Sequence, residues 1–235
     1  MSLPVAILAG GLATRLRPLT DDVPKSLVEV AGRPFAEHQL RLLRRHGFTD
    51  VVFCVGHLGA QIEGTLGDGS CFGMRLAYVD DGPELLGTGG ALRRALPHLG
   101  EAFLVMYGDS YLDCDYAAIA SAFTSSGKLG LMTVFHNENR WERSNVRFEG
   151  GKIKAYDKNA ADPSLTHVDY GLGALHVEAL DRYPADQKLD LAQVYRDLLS
   201  EDQLAAHEVR ERFYEIGSFS GLEEVRLKLA GRNAP

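Results

Sequence analysis

Apolar residues along this chain follow two alternating rhythms. Short β-branched runs are followed by longer stretches with an apolar residue at every third or fourth position. Val5–Leu8, Val51–Val55, Arg75–Val79 and Phe103–Tyr107 read as buried strands. Pro34–Gly47, Leu58–Leu66 and Thr88–Leu96 read as the helices between them. Pro34 suits a first helical position and Gly47 an end. Strands alternating with helices predict an α/β fold, a mainly parallel sheet flanked by helices. Ligands of such sheets gather beyond the carboxyl ends of strands, so the loops at Gly10, Asp81 and Gly108 are expected on one rim.

After a helix at Asp115–Phe123 the rhythm changes. Leu129–Phe135, Asn145–Phe148, Lys152–Tyr156 and Val168–His176 are strand-like, with Glu149-Gly150-Gly151 as a hairpin turn. Helices at Leu191–Leu199 and Leu222–Leu229 close the chain. No repeat, low-complexity tract or linker interrupts it. One domain over 1–235 is expected, with a smaller antiparallel part and a change of character near residue 129.

Composition narrows the class of partner. A length of 235 residues suits one domain, and a net charge of −7 argues against a protein that holds nucleic acid electrostatically. Arg41, Arg44 and Arg45 are the densest basic cluster, but Leu40, Leu42 and Leu43 beside them indicate a solvated helix face. No apolar run approaches the roughly 20 residues of a membrane span, and the start lacks the pattern of a secretory signal. The three cysteines, Cys54, Cys71 and Cys114, are scattered without metal-ligand spacing. They read as reduced thiols, and a cytoplasmic location is expected.

The chemistry concentrates in four places. Leu8-Ala9-Gly10-Gly11-Leu12-Ala13-Thr14-Arg15, closed by Pro24-Lys25-Ser26, brings glycines, a hydroxyl and cations to a strand's carboxyl end. Exposed N–H groups and fixed cations suit a polyphosphate. The loop is not a P-loop, because Pro24 precedes Lys25, and it lacks the glycine spacing of a dinucleotide fingerprint. Leu86-Gly87-Thr88-Gly89-Gly90 gives close backbone approach before a helix. Gly108-Asp109 sets a carboxylate at a strand end, a common place to hold Mg²⁺. Phe213-Tyr214-Glu215-Ile216-Gly217-Ser218 offers a second carboxylate.

These residues resemble the sugar-phosphate nucleotidyltransferases, also called nucleotide-sugar pyrophosphorylases. The resemblance spans most of the chain and is strongest over residues 5–115. It is closest to the short heptose- and mannose-1-phosphate guanylyltransferases and the N-acetylmuramate-1-phosphate uridylyltransferase. It implies a Rossmann-like nucleotide-diphospho-sugar transferase fold, with about 1–128 as nucleotide-binding half and about 129–235 as sugar-phosphate-binding half. It implies that Leu8, Gly10, Gly11, Thr14, Arg15 and Lys25 hold an NTP. Arg15 would grip the outer phosphates and Lys25 the phosphate under attack. Gly87 and Thr88 would lie against base and ribose, with Glu84 or Asp81 accepting from base N–H groups.

The resemblance further implies Mg²⁺ on Asp109 and Glu215, and a sugar 1-phosphate held by Lys158, with Asn145, Asp157, Asp169 and Gly171 near the sugar. Arg15, Lys25 and Asp109 would be the catalytic set. Two positions depart from the family pattern. Ala13 replaces a usual Gly, and Glu215 a usual Asp. The expected reaction transfers NMP from an NTP, leaning to GTP with a heptose- or mannose-type acceptor. The alternatives are uridylyl transfer to an amino-sugar 1-phosphate and a non-catalytic nucleotide-sensing subunit. A glycosyltransferase reading rests on Asp113-Cys114-Asp115 and is less favoured, because that triplet follows Gly108-Asp109 too closely. A monomer or small homo-oligomer is expected. No hexapeptide-repeat tail precedes Pro235, so acetyltransferase activity is not expected.

Overall fold

The apolar runs are strands, and most of them join one sheet. The computed structural model describes residues 3–159 and 162–230. The first part contains β1 (Val5–Leu8), β2 (Glu29–Val30), β3 (Arg33–Pro34), α1 (Phe35–Arg45), β4 (Asp50–Val55), α2 (Gly59–Leu66), β5 (Arg75–Asp80), α3 (Gly87–Ala95), β6 (Ala102–Tyr107), β7 (Ser110–Tyr111) and α4 (Tyr116–Ser126). The second contains β8 (Gly130–His136), β9 (Val146–Glu149), β10 (Lys152–Tyr156), β11 (His167–His176), α5 (Glu178–Asp181), α6 (Leu191–Ser200), β12 (Leu204–Val209), β13 (Tyr214–Glu215) and α7 (Phe219–Ala230).

The main sheet runs β10-β9-β11-β6-β1-β4-β5, with β8 on β11 and β12 on β8. β1 pairs in parallel with β4 and β6, and β4 with β5. The antiparallel part begins where β11 joins β6. β11 is long enough to meet β6 through its second half and β9 at its start. Between those contacts, at Asp169–Gly173, its register with β8 shifts. This irregular stretch opens onto the rim where β6 ends.

Both faces of the sheet are buried, which is why its strands read as near-continuous apolar runs. Ile7, Phe53 and Met106 pack under Phe35, Leu40 and Leu43 of α1. On the opposite face Ala6, Val52 and Val105 meet Leu92 of α3 and Val194 and Leu198 of α6. No helix among the described residues is long and apolar enough to cross a membrane.

Five strands escape the hydrophobic pattern, among them the two-residue β2 and β3. β12 carries Ala205, Ala206 and Glu208 between its buried ends, a weak signal for a strand paired with β8. β7 and β13 span two residues each, too short for any periodicity, yet their mutual pairing shapes the rim.

At the register shift a buried hydroxyl substitutes for ladder pairing. The fully buried Thr133 donates to the Leu172 carbonyl. Thr133→Val keeps the shape and strands that carbonyl. It is expected to cost about 1–3 kcal/mol of stability in urea unfolding. An unchanged midpoint would mean that the carbonyl finds another partner.

Candidate active site

The first loop is pinned from below and presents its cations upward. The Ala9 N–H donates to the Cys54 carbonyl at 2.8 Å, prolonging the β1–β4 pairing into the loop. Ala13 takes a left-handed conformation, φ 49°, and its carbonyl accepts from the Thr20 hydroxyl at 2.8 Å. Ala therefore occupies a geometry that glycine adopts without strain. Leu16 is fully buried and anchors the turn Thr14–Leu16, while Thr14 and Arg15 stay exposed. Lys25 opens a second short turn whose Ser26 is buried.

The Gly108 turn requires glycine. A Cβ there would lie 2.8 Å from the Leu8 carbonyl oxygen. Fully buried Gln39 donates to the carbonyls of Tyr107 at 3.0 Å and Ser110 at 2.8 Å, fixing the turn that carries Asp109. Nothing in the sequence pattern distinguished Gln39 from its neighbours on α1.

Asp109 and Glu215 come together through the backbone. Glu215 stands opposite Ser110 in the β7–β13 pair, and the Ile216 N–H donates to the Asp109 carbonyl at 2.9 Å. Lys25 Nζ is 2.9 Å from Asp109 Oδ2. A Cβ at Gly217 would lie 3.2 Å from both Arg15 Nη2 and Glu215 Oε1, so the two side chains flank that glycine. Burial and the Asp109 charge push the Glu215 carboxyl up from its ordinary value, opposed by Arg15 and Lys25. Among the described residues no group of three or more His, Cys, Asp or Glu is arranged for a metal. Two hard oxygen donors fit Mg²⁺, which usually takes one or two carboxylates and completes its shell with water and phosphate oxygens.

From Lys25 and Asp109 a cleft of about 240 Å³ passes Gly10 and Gly11 to Gly87, Thr88 and Asp81. Its far wall is held by a distant segment. The Leu189 carbonyl accepts from the N–H groups of Gly89 and Gly90, and the Leu189 N–H donates to the Leu86 carbonyl at 2.9 Å. A Cβ on Gly87, at φ +74°, would lie 2.7 Å from that Leu189 oxygen. The Thr88 hydroxyl donates to Asp190 Oδ1 at 3.1 Å and accepts from the Leu191 N–H. No motif in the chain pointed to Leu189 and Asp190 as part of this wall. Glu84 is exposed and is not part of this wall. Asp81 is 5% exposed and lines it.

The second half supplies a third cation. Lys158 Nζ is 4.0 Å from Asp190 Oδ1 and 5.8 Å from the centroid of the Tyr107 ring. Asp169 accepts from the Tyr156 hydroxyl at 3.2 Å and the Gly171 N–H at 3.1 Å. Burial raises its pKa, against the pull of Lys158. Gly171 has φ +90°, and a Cβ would lie 3.2 Å from the Tyr107 ring. Asn145 accepts from the Asp169 N–H at 2.9 Å, a backbone role. Asp157 is exposed and closes its own turn through the Asn159 N–H, 2.8 Å away.

The loop between β8 and β9 adds a residue that the sequence pattern did not single out. Fully buried Asn137 donates to the Glu142 carbonyl at 2.6 Å and accepts from the Trp141 N–H at 3.2 Å. Trp141 is 49% exposed, with the Arg212 guanidinium 3.4 Å from its ring centroid. Burial, then Glu215, Asp169 and Asp109, pushes the Glu142 carboxyl up to about 7. Only the length of the interval between two strands hinted at a built loop.

A family model described as nucleotidyl transferase matches residues 5–153. The chain is 32% identical over 231 residues to the N-acetylmuramate alpha-1-phosphate uridylyltransferase of Neisseria meningitidis serogroup B, covering 96% of this chain and 97% of that protein. It is 28% identical over 198 residues to the mannose-1-phosphate guanylyltransferase of Mycobacterium tuberculosis, covering 83% of this chain and 55% of that one. It therefore spans about half the length of the latter relative. Among solved structures, HddC from Yersinia pseudotuberculosis complexed with GMP-PN superposes with a TM-score of 0.81 at 21% identity, covering 97% of this chain and all of that one. UDP-glucose pyrophosphorylase from Acinetobacter baumanii gives 0.82 at 19%, covering 99% and 95%. At these identities the two structures establish the fold.

One prediction concerns the carboxylate pair alone. Asp109→Asn removes the like charge beside Glu215 and frees Lys25. The Glu215 pKa is then expected to fall toward its ordinary value, followed by carboxyl-carbon NMR across a pH titration. An unmoved midpoint would assign the whole upward shift to burial.

Proposed function

The chain belongs to the nucleotidyl transferase family, and we propose that it transfers NMP from an NTP to a sugar 1-phosphate, releasing pyrophosphate. One observation carries this reading. Asp109 and Glu215 stand together at the mouth of a glycine-walled cleft, with Lys25 and Arg15 beside them. The proposed division gives residues 1–128 to the nucleotide and 129–235 to the acceptor.

In this reading Gly10 and Gly11 let the triphosphate approach the main chain. Arg15 faces the outer phosphates and Lys25 the α-phosphate. Lys158, on the opposite side, takes the phosphate of the sugar. A phosphate monoester oxygen is already anionic, so it attacks the α-phosphorus without a general base. The bond from the α-phosphorus to the bridging oxygen breaks, and pyrophosphate leaves with that electron pair. The protein contributes alignment and neutralisation of charge that develops in flight. Mg²⁺ bound by Asp109 and Glu215 would supply further charge neutralisation on the phosphates.

The two departures from the family pattern fit this reading. Ala13 adopts the backbone conformation that glycine would. The backbone pairing sets Glu215 beside Asp109, which argues for catalysis over nucleotide sensing. Guanylyl transfer to a heptose- or mannose-type 1-phosphate is the first form of the proposal. Uridylyl transfer to an amino-sugar 1-phosphate is the second, favoured by the near-complete overlap with the Neisseria protein. A reaction fed by NTP is proposed to be cytoplasmic.

The test is pyrophosphate release from a panel of NTPs and sugar 1-phosphates with Mg²⁺. Asp109→Asn is expected to lose about a hundredfold or more in turnover with an unchanged circular dichroism spectrum. Arg15→Ala and Lys25→Ala are expected to lower kcat more than they raise KM. Glu215→Gln should weaken activity and Mg²⁺ dependence together. Pyrophosphate from no substrate pair would remove the proposal, and near-normal turnover of Asp109→Asn would remove its metal role.

A further inference from the structure

We infer that Arg212 is a positioning residue for the sugar 1-phosphate: held between the rings of Trp141 and Tyr214, its guanidinium locks the β8–β9 loop to the strand that carries Glu215. The inference rests on the nucleotidyl-transfer reading of the same cleft. The guanidinium carbon of Arg212 is 3.4 Å from the Trp141 ring centroid and 4.8 Å from that of Tyr214. The same group pairs with Glu224 of α7. Its Nε is buried without a hydrogen-bond acceptor among the described residues. A buried donor left unused is costly, so the two rings, and not hydrogen bonding alone, set the position of this planar cation.

The backbone beneath the stack is fixed by other contacts. Phe213, next to Arg212, is buried, with Phe135 and Tyr170 edge-on to it at 5.9 Å and 6.2 Å. β13 is held by its pairing with β7 and by the Ile216 N–H on the Asp109 carbonyl. Tyr214 and Glu215 are neighbours on that strand, and successive side chains of a strand point to opposite faces. The stack on Tyr214 therefore lies behind the rim, and Arg212 acts through Trp141 without touching substrate.

The β8–β9 loop is the part that needs the lock. It leaves β8 through Glu138 and Asn139, two non-glycine residues in the left-handed region at φ 50° and 59°. Such a conformation persists only where its surroundings impose it. Asn137 and Ser144 shape the loop from within, and the Thr166 carbonyl holds its start, accepting from the N–H groups of Asn137 and Glu138 at 2.9 Å. Trp141, at the tip, is tied to β13 by Arg212. The next residue, Glu142, stands within electrostatic reach of Lys158, Asp169, Asp109 and Glu215. Where the tip sits thus decides where this carboxylate stands relative to the lysine proposed to take the sugar's phosphate. The nucleotide cleft along Gly10, Gly11, Gly87 and Thr88 is built without this loop.

The experiment compares Arg212→Ala, Arg212→Lys and Trp141→Ala with the native protein. It follows amide hydrogen exchange, NTP binding by titration calorimetry with Mg²⁺, and the KM of the sugar 1-phosphate. Loss of a cation stacked on a half-buried ring is worth about threefold to thirtyfold. In Arg212→Ala, exchange over residues 138–143 and the sugar 1-phosphate KM are each expected to rise by that factor. Exchange at Ile216 and the NTP affinity are expected to stay within about twofold of native. Arg212→Lys keeps a charge beside Glu224 but has no plane to lay on the indole, so it is expected to behave as Arg212→Ala does. Trp141→Ala is expected to match both, and combining it with Arg212→Ala to add nothing further. An unmoved sugar 1-phosphate KM, an equal loss of NTP affinity, additive losses in the double variant or full rescue by lysine would each overturn the inference. If Arg212→Ala does not fold, Trp141→Ala, at a half-exposed position, decides by the same KM and affinity criteria. Native turnover with an unmoved KM in the variants overturns the role of Arg212 alone. Pyrophosphate from no substrate pair removes the proposed reaction and this inference with it.

Discussion

Two carboxylates held side by side in a partly buried rim repel one another, and much of this structure answers that repulsion. The backbone leaves no slack, because the pairing of β13 with β7 and the bond from Ile216 to Asp109 set both acids on adjoining positions. Lys25 meets Asp109 at 2.9 Å, and Arg15 flanks Glu215 across Gly217. These cations come from loops near the start of the chain, while β13 lies near its end. The rim therefore assembles only when both ends of the chain are in place. A carboxylate pair partly compensated by cations is a natural seat for a divalent ion, which has the charge to replace that compensation.

Most of the sheet was legible in the sequence, and the reason is physical. Strands buried on both faces must be apolar throughout, so Val5–Leu8 and Phe103–Tyr107 stand out without knowledge of their neighbours. The first and third motifs were legible because Gly108 tolerates no side chain and Lys25 and Arg15 are close to their glycines in sequence. Residues on the far wall of the cleft were harder to see. Glu84 and Asp81 are three positions apart and chemically alike, and only burial separates them. Leu189 and Asp190 were invisible, because their contact with Gly87–Gly90 spans about a hundred residues and is made mostly by backbone atoms. β12 was missed because its alanines and Glu208 blur the alternation that a half-buried strand would show.

The second half of the chain is organised differently from the first. Gly-rich turns give the first half its cleft, whereas Asp169, Tyr156 and Asn145 form a hydrogen-bonded group at an irregular stretch of β11. Lys158 reaches across toward Asp190, the residue that also receives the Thr88 hydroxyl. One carboxylate thus touches elements on both sides of the cleft. Burial alone would raise its pKa, but the Ala192 N–H, Lys158 and Thr88 together hold it below the usual range. Its charge is maintained where a neutral group would leave the lysine without a counterion.

The chain contains one tryptophan, and that residue is Trp141. Its indole sits at the tip of the loop buttressed by Asn137, half in solvent, with a guanidinium against its face. The next residue, Glu142, lies within electrostatic reach of the carboxylates of both halves. Excited at wavelengths that tyrosine does not absorb, the molecule consequently emits from this single indole. Each change in wetting of that ring, or in its stacking with Arg212, registers as a shift in colour or brightness without any label. The fold carries its own optical gauge of changes around that loop.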